Sequence, residues 1–337
     1  MKKIVKKVTA AALATLMIGS CFAGCSSNNE GNTASDADKA KKTEYNIGIC
    51  QLVQHDALDA ATKGFKEKLT ELGNANGITF KFDEQNASGE ATNCTTITSK
   101  FVTDNVDLIM ANATDALAAA SQATADIPIV ATSITDYATA LGIDNWSGKT
   151  GFNVTGTSDL APLADQADMI KELVPDAKNV GILYCSAEKN SKYQATVIQE
   201  SLKKLGMTCK EYTFVDTNDV SAVTQQMVTD KCDVVFVPTD NTAASNKEAI
   251  NNILEPAGIP VIAGEEGICE GCGIATLSIS YYSIGEVTAQ MAYDILVNGQ
   301  NPADMEIQYA KDLTKKYVKD RAEKLGVTIP EDYEAID

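Results

Sequence analysis

From residue 45 onward, short apolar runs typical of buried strands alternate with longer segments whose apolar positions recur at helical spacing. The pattern predicts strands over 45–52, 78–82, 106–111 and 127–131, separated by helices over 58–72, 92–103 and 115–125. Strands that alternate with helices form βαβ units, in which helices cover both faces of a parallel sheet. The chain is therefore predicted to have an α/β fold.

The same order of features occurs twice along the chain. Four pairs of features correspond in the same order: residues 47–49 with 180–182, the helix-ending glycine Gly73 with Gly206, residues 104–107 with 230–233, and residues 127–130 with 259–262. Such internal repetition predicts two lobes of like topology, each built on a parallel sheet.

A hinge and a returning helix complete the predicted organisation. The Gly- and Thr-rich segment 148–159 lies between the two lobes and is typical of a crossing strand or a hinge. A helix over 282–297 follows the last strand of the second lobe, so we expect it to return to the first lobe. The predicted first lobe comprises 45–153 and 278–303, and the second comprises 154–277 and 304–337.

The N-terminus has the features of a bacterial lipoprotein signal peptide. A lysine-rich start precedes an apolar segment, residues 8–22, which is too short to span a bilayer well. This segment runs into FAGC, where small residues precede Cys25, as in a lipobox. We therefore expect residues 1–24 to be a signal peptide, and residues 25–44 to be a polar flexible tether that carries lipid on Cys25. The alternative is an ordinary secretory signal with an incidental cysteine.

The lipobox interpretation is tested by Cys25→Ala. Without the thiol that receives the lipid, the protein should lose lipid labelling and be released from membranes. A variant that stays labelled and membrane-bound would contradict the interpretation.

Charge and composition exclude several classes of function. The formal net charge is −18, so the chain will not track a phosphate backbone, and no nucleic-acid partner is expected. The only arginine is Arg321 and the only histidine is His55, which excludes multi-histidine metal sites. The close pair Cys269 and Cys272 lacks a second pair to complete a zinc site, so it is interpreted as a loop pair. We expect no metal and no cofactor.

Polar residues follow the predicted strands at the point where each strand ends. Ligands of open α/β sheets bind beyond these carboxyl ends, and two facing lobes would bring both sets of ends to one cleft. The candidate ligand-binding residues are Gln51, His55, Asn86, Thr114, Thr132, Asn190, Ser191, Thr239, Asp240, Asn241, Glu265 and Tyr281.

Two of these candidates suggest the chemistry of the ligand. Thr114 begins a predicted helix, where free N–H groups favour an anion such as a carboxylate. Asp240 occupies the corresponding place in the second lobe and suits an ammonium group. Together they point to an α-amino acid. The alternative is that both are ordinary helix N-caps.

Several segments resemble one known family. The residues that carry the resemblance are 51–65 (QLVQHDALDAATKGF), 85–89 (QNASG), 153–159 (NVTGTSD), 238–242 (PTDNT) and 281–285 (YYSIG). They are similar to the tryptophan/tyrosine-type ABC transporter substrate-binding proteins. Gln54 and Tyr137 depart from that family's usual Glu and Pro. The resemblance implies the type I periplasmic-binding-protein fold, with two Rossmann-like parallel-sheet lobes that enclose a small ligand.

The resemblance also implies a function. We expect a lipid-anchored receptor on the extracytoplasmic face of the cell membrane, which passes an aromatic or other hydrophobic amino acid to an ABC permease and its ATPase. Alternatives are a ligand-sensing lipoprotein, a carbohydrate receptor, or a hydrolase that uses His55. An enzyme is disfavoured because the chain has no G-x-S-x-G elbow, phosphate-binding loop or dinucleotide fingerprint. A sugar site is disfavoured by the single tryptophan and single arginine.

Overall fold

The computed structural model describes residues 42–336. The predicted signal peptide, the lipid site at Cys25 and almost all of the predicted tether lie outside the described residues. The first strand already begins at Glu44, so the folded part includes the last predicted tether residue. Within 42–336, no helix has both the length and the apolar character needed to cross a bilayer.

The first half of the chain folds as a succession of strands and helices in the predicted order. Its elements are β1 (Glu44–Gln51), α1 (Asp56–Asn76), β2 (Thr79–Asn86), α2 (Ala91–Thr103), β3 (Leu108–Asn112), α3 (Thr114–Ala123), β4 (Ile129–Ile134), α4 (Tyr137–Leu141) and β5 (Val154–Ser158). The strands β1, β3, β4 and β5 are almost wholly buried, which explains their continuous apolar runs.

The second half repeats the alternation and then returns. Its elements are α5 (Leu163–Leu173), β6 (Asn179–Cys185), α6 (Lys189–Lys204), β7 (Thr208–Phe214), α7 (Val220–Thr229), β8 (Val234–Val237), α8 (Asn241–Ser245), α9 (Lys247–Leu254), β9 (Val261–Ala263), α10 (Glu266–Cys272) and β10 (Ala275–Ser278). The returning elements are α11 (Tyr281–Leu296), β11 (Gln308–Tyr309), β12 (Thr314–Tyr317), α12 (Lys319–Lys324) and β13 (Glu334–Ala335).

Two sheets form two lobes of the same topology. The first has the order β11-β5-β4-β3-β1-β2, and the second has the order β13-β12-β10-β9-β8-β6-β7. In each sheet the first five strands of the lobe run parallel in the order 2-1-3-4-5. Within 42–336, only β12 runs antiparallel to its neighbour, β10. The repeated segments 47–49 and 180–182 lie in the equivalent strands β1 and β6.

The chain passes between the lobes three times. It leaves the first sheet after β5, returns after β10, and leaves again between β11 and β12, at residues 159–162, 279–280 and 310–313. The boundary predicted between residues 153 and 154 is wrong, because β5 pairs with β4 and belongs to the first sheet. Likewise β11 pairs with β5, so the first sheet includes residues beyond the predicted limit of 303.

Glycine permits the closest contact between helices in the first lobe. The returning helix α11 packs along α1 and also against β4 and β5. A Cβ atom on Gly285 would lie 2.1 Å from the carbonyl oxygen of Ala61, and one on Gly64 would lie 2.2 Å from that of Tyr282. The two backbones therefore approach each other in a way that larger residues would prevent.

The predicted end of the first helix is also corrected. Gly73 lies inside α1, where a Cβ atom would come within 2.6 Å of the carbonyl oxygen of Ile78. The helix ends instead at Gly77, which adopts the left-handed conformation with φ of 68°. Gly206, by contrast, does follow the end of its helix and has φ of 81°. The two glycines matched in the sequence therefore play different roles.

The contact between α1 and α11 is tested by Gly285→Ala. The added methyl group meets a helix backbone that cannot move aside, so we expect the free energy of unfolding to fall by about 2–3 kcal/mol despite the better helix propensity of alanine. Ser283→Ala, at an exposed position of the same helix, is the matched control and should change stability little. Urea unfolding measures both, and equal stability of the two variants would contradict the close packing.

Candidate ligand site between the lobes

The carboxyl ends of both sheets enclose a small cavity between the lobes. Its walls are formed by His55, Leu58, Ser133, Thr135, Asp159, Asn190, Thr239, Asp240, Asn241, Ala244, Glu265 and Tyr281. The cavity volume is about 10 Å³, which is about the room that one water molecule needs. The lobes are therefore closed on each other, and a ligand can enter only after they separate.

Seven of the twelve candidates from the sequence lie in these walls: His55, Asn190, Thr239, Asp240, Asn241, Glu265 and Tyr281. Five others do not: Gln51, Asn86, Thr114, Thr132 and Ser191. The walls also contain residues that were not among the candidates, namely Leu58, Ser133, Thr135, Asp159 and Ala244. Asp159 ends the predicted hinge segment, which is the signal that could have identified it.

Gln51 is held away from the cavity by contacts within the first lobe. Its side-chain amide donates to Asp59 at 2.6 Å, and its oxygen accepts from the hydroxyl of Thr62 at 2.7 Å. Both partners lie on α1, so the side chain of Gln51 is tied to that helix. Asn86 lines the same surface depression as Gln51 and accepts a hydrogen bond from the backbone of Ser88.

An irregularity in β4 places Ser133 at the cavity in place of the predicted Thr132. The register of β4 shifts against β5, and Ser133 adopts a left-handed backbone with φ of 58°. Thr132 is consequently buried within the sheet and accepts a hydrogen bond from Thr157 at 3.0 Å. The Ser133 side chain instead reaches the cavity, and within residues 42–336 its buried hydroxyl has no hydrogen-bond partner.

Thr114 and Ser191 occupy supporting positions. Thr114 is the first residue of α3, as predicted, but it is buried and is not among the residues that line the cavity. The preceding residue, Ala113, has φ of 87° and ψ of 161°, a conformation that residues other than glycine rarely adopt. Ser191 is fully buried, and its hydroxyl accepts a hydrogen bond from the side-chain amide of Asn190 at 3.2 Å.

Three buried carboxylates converge on the cavity. Asp159, at the first crossing between the lobes, accepts hydrogen bonds from Tyr281 at 2.9 Å and from Thr135 at 3.2 Å. Asp240 accepts from the backbone N–H groups of Ala243 at 2.7 Å and Cys185 at 2.6 Å. Asp240 is thus an N-cap of α8, as the alternative interpretation held, and it lines the cavity as well.

Glu265 is the third carboxylate and caps helix α10 from its N-terminus. It accepts hydrogen bonds from the backbone N–H groups of Gly267 and Ile268. At the other end of α10, Arg321 donates to four backbone carbonyls, those of Cys269, Glu270, Gly271 and Gly273. The chain's only arginine therefore stabilises the helix that Glu265 caps and does not line the cavity.

Cys269 and Cys272 are buried free thiols within α10, so the loop predicted for this pair is wrong.

Burial makes the charged forms of these acids unfavourable. It raises the pKa of Asp159 to about 6 and that of Glu265 to about 7. Burial and the neighbouring carboxylate of Glu188 together raise the pKa of Asp240. No lysine or arginine is among the residues that line the cavity. No group of His, Cys, Asp and Glu side chains within 42–336 is arranged to hold a metal ion.

Two lobes of parallel sheet, a three-segment hinge and a polar cavity enclosed between the lobes together define a ligand-capturing protein that works by closure. The comparisons with known proteins place it more narrowly. Residues 46–335 match the model of the family described as ABC transporter substrate binding protein, and the chain belongs to this family.

Relatives with stated ligands support the same placement. The chain is 35% identical over 303 residues to a tyrosine-binding protein of Clostridioides difficile (strain R20291), covering 90% of this chain and 87% of the relative. A Streptococcus pneumoniae ABC domain in complex with L-tryptophan is 30% identical with a TM-score of 0.82, covering 87% of this chain and 100% of the other.

A third relative differs in conformation. A ligand-free, open substrate-binding protein with adhesive properties from Clostridium difficile is 36% identical, covering 87% of this chain and 99% of the other, but its TM-score is only 0.67. The less identical L-tryptophan complex superimposes better, so the lobes here are arranged more as in a ligand-bound relative.

These findings decide several expectations from the sequence. The type I periplasmic-binding-protein fold and the family resemblance are confirmed. The protein is the substrate-binding protein of an ABC transporter, and its family confirms the expectation of a binding protein in place of an enzyme. As such it is extracytoplasmic.

The raised pKa of Asp159 predicts how stability depends on pH. Its pKa is higher in the folded state than the value near 3.8 of the unfolded chain, so folding takes up a proton between pH 4 and 6. The stability contributed by the protonated form is present at pH 4 and is lost as the pH rises through about 6. The unfolding free energy of the wild type relative to Asp159→Asn should therefore fall by on the order of 2–3 kcal/mol from pH 4 to pH 7.

Urea unfolding without ligand, repeated across this pH range, measures the difference. Asp168→Asn replaces an exposed aspartate and should follow the wild type at every pH. A stability difference between the wild type and Asp159→Asn that does not change with pH would show that the pKa of Asp159 is not raised by folding.

Proposed function

We propose that the protein captures an aromatic α-amino acid, tyrosine or tryptophan, between its lobes and delivers it to an ABC importer. The observation that carries the proposal is the convergence of Asp159, Asp240 and Glu265 on a cavity lined by no lysine or arginine. Buried carboxylates without a counter-charge are costly, and a ligand ammonium would supply the missing charge. The ligands of the C. difficile and S. pneumoniae relatives, tyrosine and L-tryptophan, agree with this chemistry.

The ammonium group is assigned to the acidic wall. Asp240 is the principal partner, because it is fixed by two backbone N–H groups and is nearly inaccessible to water. A carboxylate oxygen that accepts one hydrogen bond can accept another, so these contacts leave room for the ligand. Asp159 lies in the first crossing segment and Glu265 in the second lobe, so a cation between them would be bound by the hinge and the second lobe together.

The carboxylate of the ligand is assigned to the first lobe. The unpartnered hydroxyl of Ser133 reaches the cavity, and α1 begins there at His55 without a side-chain cap. Free N–H groups at the start of a helix of this length favour an anion. This assignment moves the carboxylate away from Thr114, which does not line the cavity, and places it against Ser133.

The aromatic ring requires apolar surface, which Leu58, Ala244 and the ring of Tyr281 provide in the walls. Because the closed cavity is so small, the ring must be admitted by separation of the lobes about the three crossing segments. A ligand that contacts both lobes then stabilises the closed arrangement by its differential affinity for it.

We further propose that the protein is a lipoprotein held at the membrane by Cys25, where it meets a permease and its ATPase. The proposal is supported by the FAGC sequence and by the polar segment that precedes β1. A sensing role without transport would use the same ligand site, and the uptake of labelled ligand by cells that lack the protein distinguishes the two.

The amino-acid proposal is tested by calorimetry with L-tyrosine, L-tryptophan and their analogues without the amino group. The wild type should bind at least one of the two amino acids and should bind the matching deaminated analogue far less tightly. Asp240→Asn should weaken amino-acid binding at least about tenfold, because a charge-assisted hydrogen bond is lost.

Asp168→Asn, at an exposed site, should bind as the wild type does. If Asp240 only caps α8, asparagine would replace it with little change in affinity. A wild type that binds neither amino acid but binds a sugar would favour the carbohydrate alternative.

A further inference from the structure

We propose that Glu188 is a positioning residue for closure: it orients the side-chain amide of Asn241 so that its oxygen accepts a hydrogen bond from His55 of the opposite lobe. This bond holds the lobes together over the ligand. The inference deepens the proposed function and rests on it, since it concerns how the same site stays closed.

Glu188 is buried at the start of α6 and organises the start of α8. Its carboxylate accepts from the backbone N–H groups of Asn241 at 3.0 Å and Thr242 at 2.9 Å. It also accepts from the hydroxyl of Thr242 at 2.8 Å and from the side-chain amide of Asn190 at 3.1 Å. These contacts leave the carboxylate little freedom to move.

The orientation of Asn241 follows from this fixed carboxylate. The amide nitrogen of Asn241 donates to Glu188 at 2.7 Å. The reversed orientation would place the amide oxygen against a carboxylate oxygen, and neither atom can donate. Asn241 therefore presents its oxygen to the first lobe, where the Nε2 atom of His55 lies 3.2 Å away.

The protonation of His55 is fixed in turn. Because the oxygen of Asn241 can only accept, Nε2 of His55 must carry the hydrogen. Burial lowers the pKa of His55, while Glu188, Asp59 and Asp56 are the acids that face it. A neutral ring with hydrogen on Nε2 satisfies the bond without burying a charge.

A second contact joins the lobes beside this one. Lys247 of α9 forms an ion pair with Asp56 of α1. The side chain of Asp56 is 66% exposed, so this pair contributes little to closure. The bond between His55 and Asn241 lies deeper, among the residues of the cavity wall.

Nitrogen-15 NMR of labelled imidazole tests the proposal directly, because the chain has one histidine and its signals need no assignment. In the wild type, without ligand and with saturating L-tyrosine or L-tryptophan, Nε2 should carry the hydrogen and Nδ1 should not. In Glu188→Gln, the glutamine amide can donate as well as accept, so Asn241 is no longer held in one orientation. The form with hydrogen on Nδ1 should then gain population.

Affinity provides the second measurement. Loss of one hydrogen bond between the lobes should weaken ligand binding about three- to tenfold in Glu188→Gln and in Asn241→Ala. Asn241→Ala keeps Glu188 but removes the acceptor of the bond from His55, so it tests the same bond if Glu188→Gln folds poorly. Asn252→Ala, at an exposed position of the same lobe, is the matched control and should change neither the imidazole signals nor the affinity.

Two outcomes would overturn the proposal: an imidazole whose signals are the same in the wild type and both variants, or a Glu188→Gln variant that loses stability with an unchanged tautomer. The latter would show that Glu188 only caps α8. If neither amino acid binds the wild type, the proposed function fails, and the imidazole signals of the ligand-free protein still decide the role of Glu188.

Discussion

The burial of three carboxyl groups between the lobes, in a cavity lined by no cationic side chain, is the constraint around which the rest of the site is built. Three carboxylates are removed from water there, and the residues that line the cavity include no lysine or arginine. Each is retained by hydrogen bonds from the protein's own backbone or hydroxyl groups. For two of them those bonds come from short helices that begin at the cavity: α8 and α10 are only five and seven residues long, yet both carry an acid at the N-cap position.

Support for these short helices comes from distant parts of the chain. Arg321, which follows the third crossing between the lobes, satisfies the carbonyl groups at the end of α10. Glu188, from the start of α6, satisfies the N–H groups at the start of α8. The residues that shape the cavity are thus fixed by partners outside it. Substitution of those partners is expected to change ligand binding indirectly.

The two-lobed fold can be predicted from the sequence because buried parallel strands and their covering helices follow regular spacing rules. The cavity can be predicted in part, since polar residues after strands, such as Asn190 and Asp240, do converge there. The regular alternation of side chains along a strand predicts Thr132 as the cavity residue in place of Ser133, because it does not anticipate the register shift in β4. The lobe boundary is misplaced by local composition, which does not encode the pairing of β5 with the distant β4. A glycine after an apolar helical pattern, such as Gly73, normally indicates the end of a helix. Here Gly73 lies inside α1 and allows the helix to pack closely against the backbone of Ile78.

The three crossings have a consequence for the order in which the molecule can fold. The first lobe lacks α11 until residue 296 and its edge strand β11 until residue 309, so α1 has no helix to pack against while most of the chain is still being made. During synthesis from the N-terminus, the first lobe is therefore completed late, although its first five strands are made before those of the second lobe. The packing of α1 against α11 can therefore form only when nearly the whole chain is present.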